Sequence, residues 1–305
     1  MKGIILVLGS SGFIGKNIVK QALEAGNNVI GIDIHNSEYQ HSSFKFKNLP
    51  ITYNSIITTI AEENIDTIIH AGGSASVSLS ISQPQTDFDQ NVNTTFNILN
   101  AIKDSKRSVK FIYLSSAAVY GNPNYLPVDE LHPYNPISPY GYHKMFSEII
   151  CKEFSENFGV NSIIFRIFSC YGAEQRKLFL WDLCQKIRTN SNDVINLMGT
   201  GSESRDYIHV SDLSNCVVSF ANRQSKGVEI FNLASGNELF ISDIADSILK
   251  QFDSDKKINF LGVENNGNPN NWCANTSKLN ATGFKHSISF EQGIENYINW
   301  FKNLA

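Results

Sequence analysis

Residues Ile4-Ile5-Leu6-Val7-Leu8 form a continuous apolar run that passes straight into Gly9-Ser10-Ser11-Gly12-Phe13-Ile14-Gly15, and little else in a chain limits its fold so tightly. The run has the character of a strand buried on both faces. Beyond the glycines, Ile18, Val19, Ala22 and Leu23 recur at helical spacing, and Gly26 closes the helix. Residues 28–32 read as a second strand, ending on Asp33. A strand, a glycine-rich turn, a helix, a second strand and an acid, in that order, make a dinucleotide-binding unit. Gly9 permits the tight turn, Gly12 lets backbone come close to a pyrophosphate, and Gly15 lets the helix pack near the strand. Ser11, Phe13 and Ile14 sit among them, where the free N–H groups and partial positive charge of a helix start face the phosphates. Asp33, 24 residues past Gly9, is placed to accept hydrogen bonds from an adenosine ribose. Its charge repels a 2′-phosphate, which favours NAD over NADP.

The alternation then repeats. Segment 35–65 is poorly patterned, with a weak strand at 44–46 and a helix at 55–63. Residues 67–71 read as a buried strand leading into Ala71, Gly72 and Ser74, small residues that let backbone approach a ligand. A helix is expected over 91–102, with Val92, Phe96 and Leu99 on one side. A strand at 111–114 follows, then a helix from Ser138 carrying Phe146, Ile149, Ile150 and Phe154, then a strand at 162–165. This order predicts an α/β fold with a doubly wound parallel sheet of Rossmann type. Ligands collect at the carboxyl ends of such strands, where Gly9, Asp33, Gly72 and Ser116 all fall. Beyond Ser169 the pattern changes. Leu180, Leu183, Cys184 and Ile187 mark an amphipathic helix, and 199–207 is a loop into 208–210. A short strand lies at 231–233 and a helix runs through Ile244, Ile248 and Phe252. A loop covers 265–271, and Ser289 with Gln292 opens the last helix as a capping box. The division expected is a dinucleotide-binding domain over 1–168, to which a segment of about 206–234 returns, and a smaller C-terminal α/β substrate cap, mainly 169–305.

Composition narrows the partners. With 305 residues, 42% hydrophobic and 18% charged, the chain is that of an ordinary soluble protein. A net charge of −4 offers no basic field for nucleic acid or an anionic membrane surface. Ile4–Leu8 is too short for a membrane span or a signal-peptide core. Five scattered cysteines without a CxxC suit reduced thiols in a cytoplasm and argue against a bound metal such as zinc.

The chemistry centres on Ser116, Tyr140 and Lys144. Ser138 reads as an N-cap and Pro139 as the first helical residue, so Tyr140 and Lys144 lie one turn apart on one helix face. A phenol with an ordinary pKa near 10 is a poor base at neutral pH. An ammonium one turn away is expected to lower that value, letting Tyr140 take a proton from a sugar or alcohol hydroxyl as hydride leaves the same carbon. Ser116 would hold the same oxygen, and Lys144 also reaches toward the nicotinamide ribose.

GSSGFIG, HAGGSASV, LSSAAVYG, SPYGYHK and RDYIHVSDL, in that order, resemble the motifs of the extended short-chain dehydrogenase/reductases, specifically the NAD-dependent epimerase/dehydratase family. The resemblance implies a homodimeric enzyme of polysaccharide biosynthesis acting on nucleotide-diphosphate sugars with NAD. It implies Ser116, Tyr140 and Lys144 as catalytic residues. Cofactor contacts would come from Gly9, Ser11, Gly12, Phe13, Ile14, Gly15, Asp33, Ala71, Gly72, Tyr140 and Lys144. Substrate contacts would come from Ser74, Ser116, Tyr140, Ser169, Arg205 and Tyr207, with Arg205 suited to a diphosphate. Several positions depart from the family pattern. Dehydratases carry an Asp-Glu pair where this chain has Ala117 and Ala118, which disfavours water elimination, and the cysteine of reductive epimerases is absent near the serine motif. The cap's usual Arg-x-Gly-Asp aligns with Asn265-Asn266-Gly267-Asn268, so one diphosphate arginine is missing, and Arg176 and Lys177 are the nearby cations. The third-strand Asp that commonly contacts adenine in the family is absent, with Asn48 the nearest residue. The reading these features favour is a nucleotide-sugar 4-epimerase working through a transient 4-keto sugar. A nucleotide 4-keto-sugar reductase consuming NAD(P)H and a non-catalytic dinucleotide-binding regulator are the alternatives.

Overall fold

The computed structural model of the chain describes residues 3–37, 39–262, 267 and 269–304. Seven strands build one parallel sheet: β1 (Ile4–Leu8), β2 (Asn28–Asp33), β3 (Phe44–Asn48), β4 (Ile65–His70), β5 (Lys110–Ser116), β6 (Ser162–Ile167) and β11 (Val228–Leu233). Their spatial order is β11-β6-β5-β4-β1-β2-β3. The order reverses between β1 and β4, and that reversal opens a crevice at the strands' carboxyl ends. Helices α1 (Phe13–Glu24) and α8 (Val210–Ala221) cover one face. The other face is covered by α2 (Tyr53–Glu62), α5 (Thr94–Ser105) and α6 (Pro139–Phe158). Short helices α3 (Val77–Ser82) and α4 (Pro84–Phe88) precede α5. No described helix is long and apolar enough to cross a membrane.

The second core forms from α7 (Leu178–Thr189), α9 (Ile241–Phe252) and α11 (Phe290–Lys302), packed around Leu183, Ile248, Tyr297 and Phe301. Small parallel pairs brace it: β7 (Ser169–Tyr171) with β10 (Tyr207–His209), and β8 (Val194–Leu197) with β13 (Lys257–Phe260). An antiparallel pair joins β9 (Ser204–Arg205) to β12 (Leu239–Phe240), and α10 (Ser277–Asn280) packs on β11.

Several elements differ from their sequence reading. α2 starts at Tyr53 because Thr52 and Ser55 cap it reciprocally, a box in which serine takes the usual Glu or Gln position. The helix expected at 91–102 is entered earlier, through α4 and a π turn over Asp89–Asn93. That wide turn shifts the helix phase, so Thr95, Ile98, Leu99 and Ile102 face inward. Phe96 is 44% exposed and meets Phe154 edge-on at 5.5 Å. On α6 the apolar Phe146 and Ile149 are 38% and 48% exposed. The inward face of that helix carries Tyr140, Lys144, Ser147 and Glu148 instead. β8, β13 and α8 carried no signal strong enough to be singled out. Of the loop at 265–271, residues 265, 266 and 268 lie outside the described residues.

Candidate active site

The glycine turn follows the carboxyl end of β1, at the crevice. Gly9 has φ +78°, and a Cβ there would meet the Gly72 nitrogen at 2.5 Å, so β1 and β4 approach too closely for any other residue. A Cβ on Gly15 would lie 1.9 Å from the Gly9 carbonyl oxygen, which fixes the entry of α1. Gly12 is different: its Cβ would touch only the Gly9 oxygen, at 3.4 Å. Its open side is free for a ligand, and no side chain caps the start of α1. Phe13 and Ile14 form that uncapped first turn. Asp33 ends β2 and is buried; its carboxylate accepts Ser11 N–H at 2.9 Å and His35 N–H at 2.9 Å. The acid thus also shapes the turn. Asn48 spends its amide on the Asp33 and Ile34 carbonyls, fixing the chain just after β2. The cradle left by Gly12, the uncapped helix start and the acid at the β2 end fits a dinucleotide.

Across the crevice, β5 delivers Ser116, whose hydroxyl accepts the Ala118 N–H at 3.2 Å and opens a tight turn over Ala117–Tyr120. Ser138 caps α6 by accepting Gly141 N–H at 3.2 Å, and Ser80 of α3 takes the Tyr140 N–H at 3.1 Å. Tyr140 and Lys144 are both buried on the inward face. The Lys144 ammonium donates to the Leu114 carbonyl at 3.1 Å and lies 4.9 Å from the Tyr113 ring centre and 5.8 Å from that of Tyr140. All three sequence-identified residues therefore meet at one place.

Their electrostatics depart from the sequence expectation. Burial pushes the Tyr140 phenol up to about 12; the Ser116 hydroxyl pulls it down and Asp87 pushes it up. The lysine does not bring it below the ordinary value, because desolvation dominates at this depth. Burial also draws Lys144 down to about 8, against the pull of Asp87 and Glu148 to keep it charged. Tyr140 can therefore take a proton only as a phenolate, a form that burial disfavours and a neighbouring ammonium favours.

Sequence reasoning missed the groups that hold this set. A Cβ on Gly141 would lie 2.6 Å from the Ala118 oxygen, so α6 presses on the turn after Ser116 at glycine distance. Asp87 is buried and binds His143 Nδ1 at 2.6 Å, 56 residues away in sequence. Asn91 lies in the π turn, where its carbonyl accepts from Thr95 and Ser147. None of these has a spacing signal, since each depends on packing between distant segments.

Ser74, Arg205, Tyr207 and Ser169 are the polar side chains expected at the substrate. The Ser74 hydroxyl is buried without a hydrogen-bond partner among the described residues, an orphan beside the glycines that follow β4. Arg205 donates to the carbonyls of Ser204 at 2.7 Å and Asn270 at 3.0 Å and lies 5.7 Å over Trp272. Burial lowers its pKa, and it forms no ion pair among the described residues. A half-buried guanidinium with carbonyl and ring partners but no carboxylate suits an anion. Tyr207 sits in the second core against Tyr171 and Phe290; burial pushes its phenol up to about 12, and the Arg205 charge opposes that. Ser169 begins β7 beside Tyr207. Arg176 stacks on Trp300 of α11 at 5.9 Å. Ala117 and Ala118 are buried in the cluster that includes Tyr140, Phe168 and Trp272, and present no proton donor. Asn265, Asn266 and Asn268, aligned with the missing arginine motif, lie outside the described residues.

Comparison with known proteins agrees with this geometry. A family model described as NAD dependent epimerase/dehydratase matches residues 5–234. A putative UDP-glucose 4-epimerase of Methanocaldococcus jannaschii is 30% identical over 317 positions, spanning 98% of this chain and 99% of that protein. The UDP-N-acetylglucosamine 4-epimerase of Methanobrevibacter ruminantium M1, in complex with UDP-N-acetylmuramic acid, superposes with a TM-score of 0.89 at 25% identity over 100% of both chains. The UDP-glucuronic acid 4-epimerase of Bacillus cereus, in complex with UDP-glucuronic acid and NAD, does so with a TM-score of 0.89 at 25% identity over 99% of this chain and 100% of its own.

Proposed function

The chain belongs to the NAD-dependent epimerase/dehydratase family and is an NAD-dependent nucleotide-sugar 4-epimerase, and we propose that it works through a transient 4-keto sugar with Tyr140 as the base, assisted by Lys144 and Ser116. One observation carries the residue roles. Tyr140 and Lys144 share the buried face of α6 and stand opposite Ser116 at the end of β5, in the same crevice as the glycine turn. NAD, when bound, supplies the hydride acceptor for the sugar C4. Gly9, Ser11, Gly12, Phe13, Ile14, Gly15 and Asp33 would hold its adenosine diphosphate half, and Ala71, Gly72, Tyr140 and Lys144 its nicotinamide half. Ser116 orients the C4 oxygen. Tyr140 removes the hydroxyl proton as C4 is oxidised and returns it when the keto sugar, turned over, is reduced on its other face. Lys144 as an ammonium offsets the phenolate charge that Tyr140 carries before it takes the proton and again after it returns it.

Arg205, with Ser74, Ser169 and Tyr207, would hold the substrate diphosphate and sugar. We read residues 1–168, with 206–234 returning, as the dinucleotide-binding unit, and most of 169–305 as the substrate cap. We further propose a cytoplasmic homodimer supplying polysaccharide biosynthesis. The exposed Phe96, Tyr142, Phe146 and Ile149 on α5 and α6 support the dimer, because a stripe of large apolar groups there is most simply covered by a second copy. The test is incubation with UDP-, dTDP-, GDP- and CDP-sugars, with and without NADH. Formation of a C4 epimer without added NADH supports the reading; stoichiometric NADH consumption would instead mark a 4-keto-sugar reductase.

A further inference from the structure

One turn beyond Lys144, on the same face of α6, lies Glu148, a carboxylate with a side-chain exposure of 0%. It accepts hydrogen bonds from Ser115 Oγ at 2.5 Å, Tyr134 Oη at 2.9 Å, and Arg166 Nε at 3.2 Å and Nη2 at 2.8 Å. Arg166 comes from β6, where it pairs in register with Ser115. Its other nitrogen, Nη1, donates to Tyr120 Oη at 2.9 Å, and Tyr120 in turn donates to Asn232 of β11 at 2.6 Å. The network therefore grips the chain directly before Ser116, at Ser115, and just after it, at Tyr120. It joins those points to the helix that carries Tyr140 and Lys144.

A buried ion pair of this kind contributes little net stability, since an apolar replacement of equal volume packs as well. Its position is what gives it a role. We propose that Glu148, clamped by Arg166, is a positioning residue for the catalytic set: it fixes the register of α6 against Ser116 and supplies a buried counter-charge that faces Lys144. The inference rests on the assignment of Ser116, Tyr140 and Lys144 as that set. Around Lys144, α4 contributes Asp87 bound to His143 of α6, β4 contributes His70, β5 contributes Tyr113, and α6 contributes Tyr140 and Glu148. His70 is held neutral at ordinary pH, drawn down to about 3 by burial and by the Lys144 charge. Tyr113 is likewise neutral, its phenol pushed up by burial. Asp87 and Glu148 are therefore the negative groups that favour the ammonium.

Glu148→Gln keeps the shape and removes the charge. With less negative charge facing it, Lys144 gives up its proton more readily, so the alkaline limb of kcat moves about one unit toward lower pH. At pH 8 that is a fall of about fivefold in kcat, and activity recovers as the pH is lowered, which simple loss of packing would not produce. NAD affinity and the substrate KM stay near their wild-type values. Ser115→Ala is the second variant: it removes the link to Ser116 while leaving the Glu148–Arg166 pair, and lowers kcat without moving the alkaline limb. Folded Glu148→Gln with wild-type kcat and pH profile overturns the inference; if that variant does not fold, wild-type kcat in Ser115→Ala does so. Tyr140→Phe run in parallel separates the two claims, because turnover surviving in it defeats the base assignment itself. A dead Tyr140→Phe beside an unaltered Glu148→Gln defeats only the positioning role.

Discussion

The contact between Gly141 and the turn after Ser116 makes the sharpest prediction. Replacing Gly141 by Ala places a Cβ 2.6 Å from the Ala118 oxygen and 2.9 Å from Pro136 Cβ, where ordinary contact begins at 3.4 Å. The nearer obstacle is backbone and cannot swing aside. The start of α6 must then retreat from the turn by about 0.8 Å, carrying Tyr140 with it. Overpacking of this kind costs roughly 1–3 kcal/mol, against a gain of about 1 kcal/mol from replacing glycine within a helix. Net destabilisation is therefore small, and the protein remains folded. Catalysis responds more strongly, since a displacement near 1 Å at a proton-transferring group lowers turnover about a hundredfold. The assay is kcat for epimerisation beside thermal unfolding and NAD titration. A large fall in kcat with a nearly unchanged melting temperature and NAD affinity is the expected result. Wild-type kcat in a folded Gly141→Ala protein would refute the reasoning, because it would mean that the separation of Tyr140 from Ser116 does not govern turnover.

Other outcomes follow from the same geometry. Turnover should fall above about pH 8 as Lys144 loses its proton, while a pH–stability series moves the other way. The sign follows from linkage: Lys144 and Lys110 are both drawn from 10.5 to about 8 in the fold, so between those values the unfolded chain holds more protons and stability attributable to them rises with pH. Asp33→Ala removes a charged acceptor of two backbone N–H groups and should weaken NAD binding about tenfold or more while narrowing its preference over NADP. Equal affinity of the wild-type protein for both dinucleotides, measured by titration, would contradict the role given to that acid. Phe146→Asp together with Ile149→Asp should convert a dimer to a monomer in sedimentation, and a monomeric wild-type chain would contradict the proposed interface.

The opening unit of the fold could be read residue by residue because its constraints are local. Gly9 and Gly15 are demanded by contacts within a few residues or by one adjacent strand, and the strand Ile4–Leu8 announces its two-sided burial by composition. The pairing of Tyr140 with Lys144 was legible for the same reason, one helical turn being a fixed distance. What could not be read depends on segments far apart in sequence. Asp87 reaches His143, Arg166 reaches Glu148, and Gly141 meets Ala118 only after the sheet has assembled. α6 also mixes its faces, with Tyr140, Lys144, Ser147 and Glu148 inside beside Phe154 and with Phe146 and Ile149 outside, so its apolar residues do not mark one face. The Tyr140 pKa was misjudged because sequence shows a neighbouring charge but not the depth of burial, and burial is the larger effect here.

The central claim is that one site removes hydrogen from C4 and gives the same hydrogen back. It is tested most directly with a nucleotide sugar deuterated at C4, followed by NMR of the product formed without added NADH. The account predicts a C4 epimer that retains its deuterium at C4, with no net change in cofactor absorbance and no retention of activity in Tyr140→Phe. Loss of the label to solvent, or product formation only in proportion to NADH consumed, would contradict it.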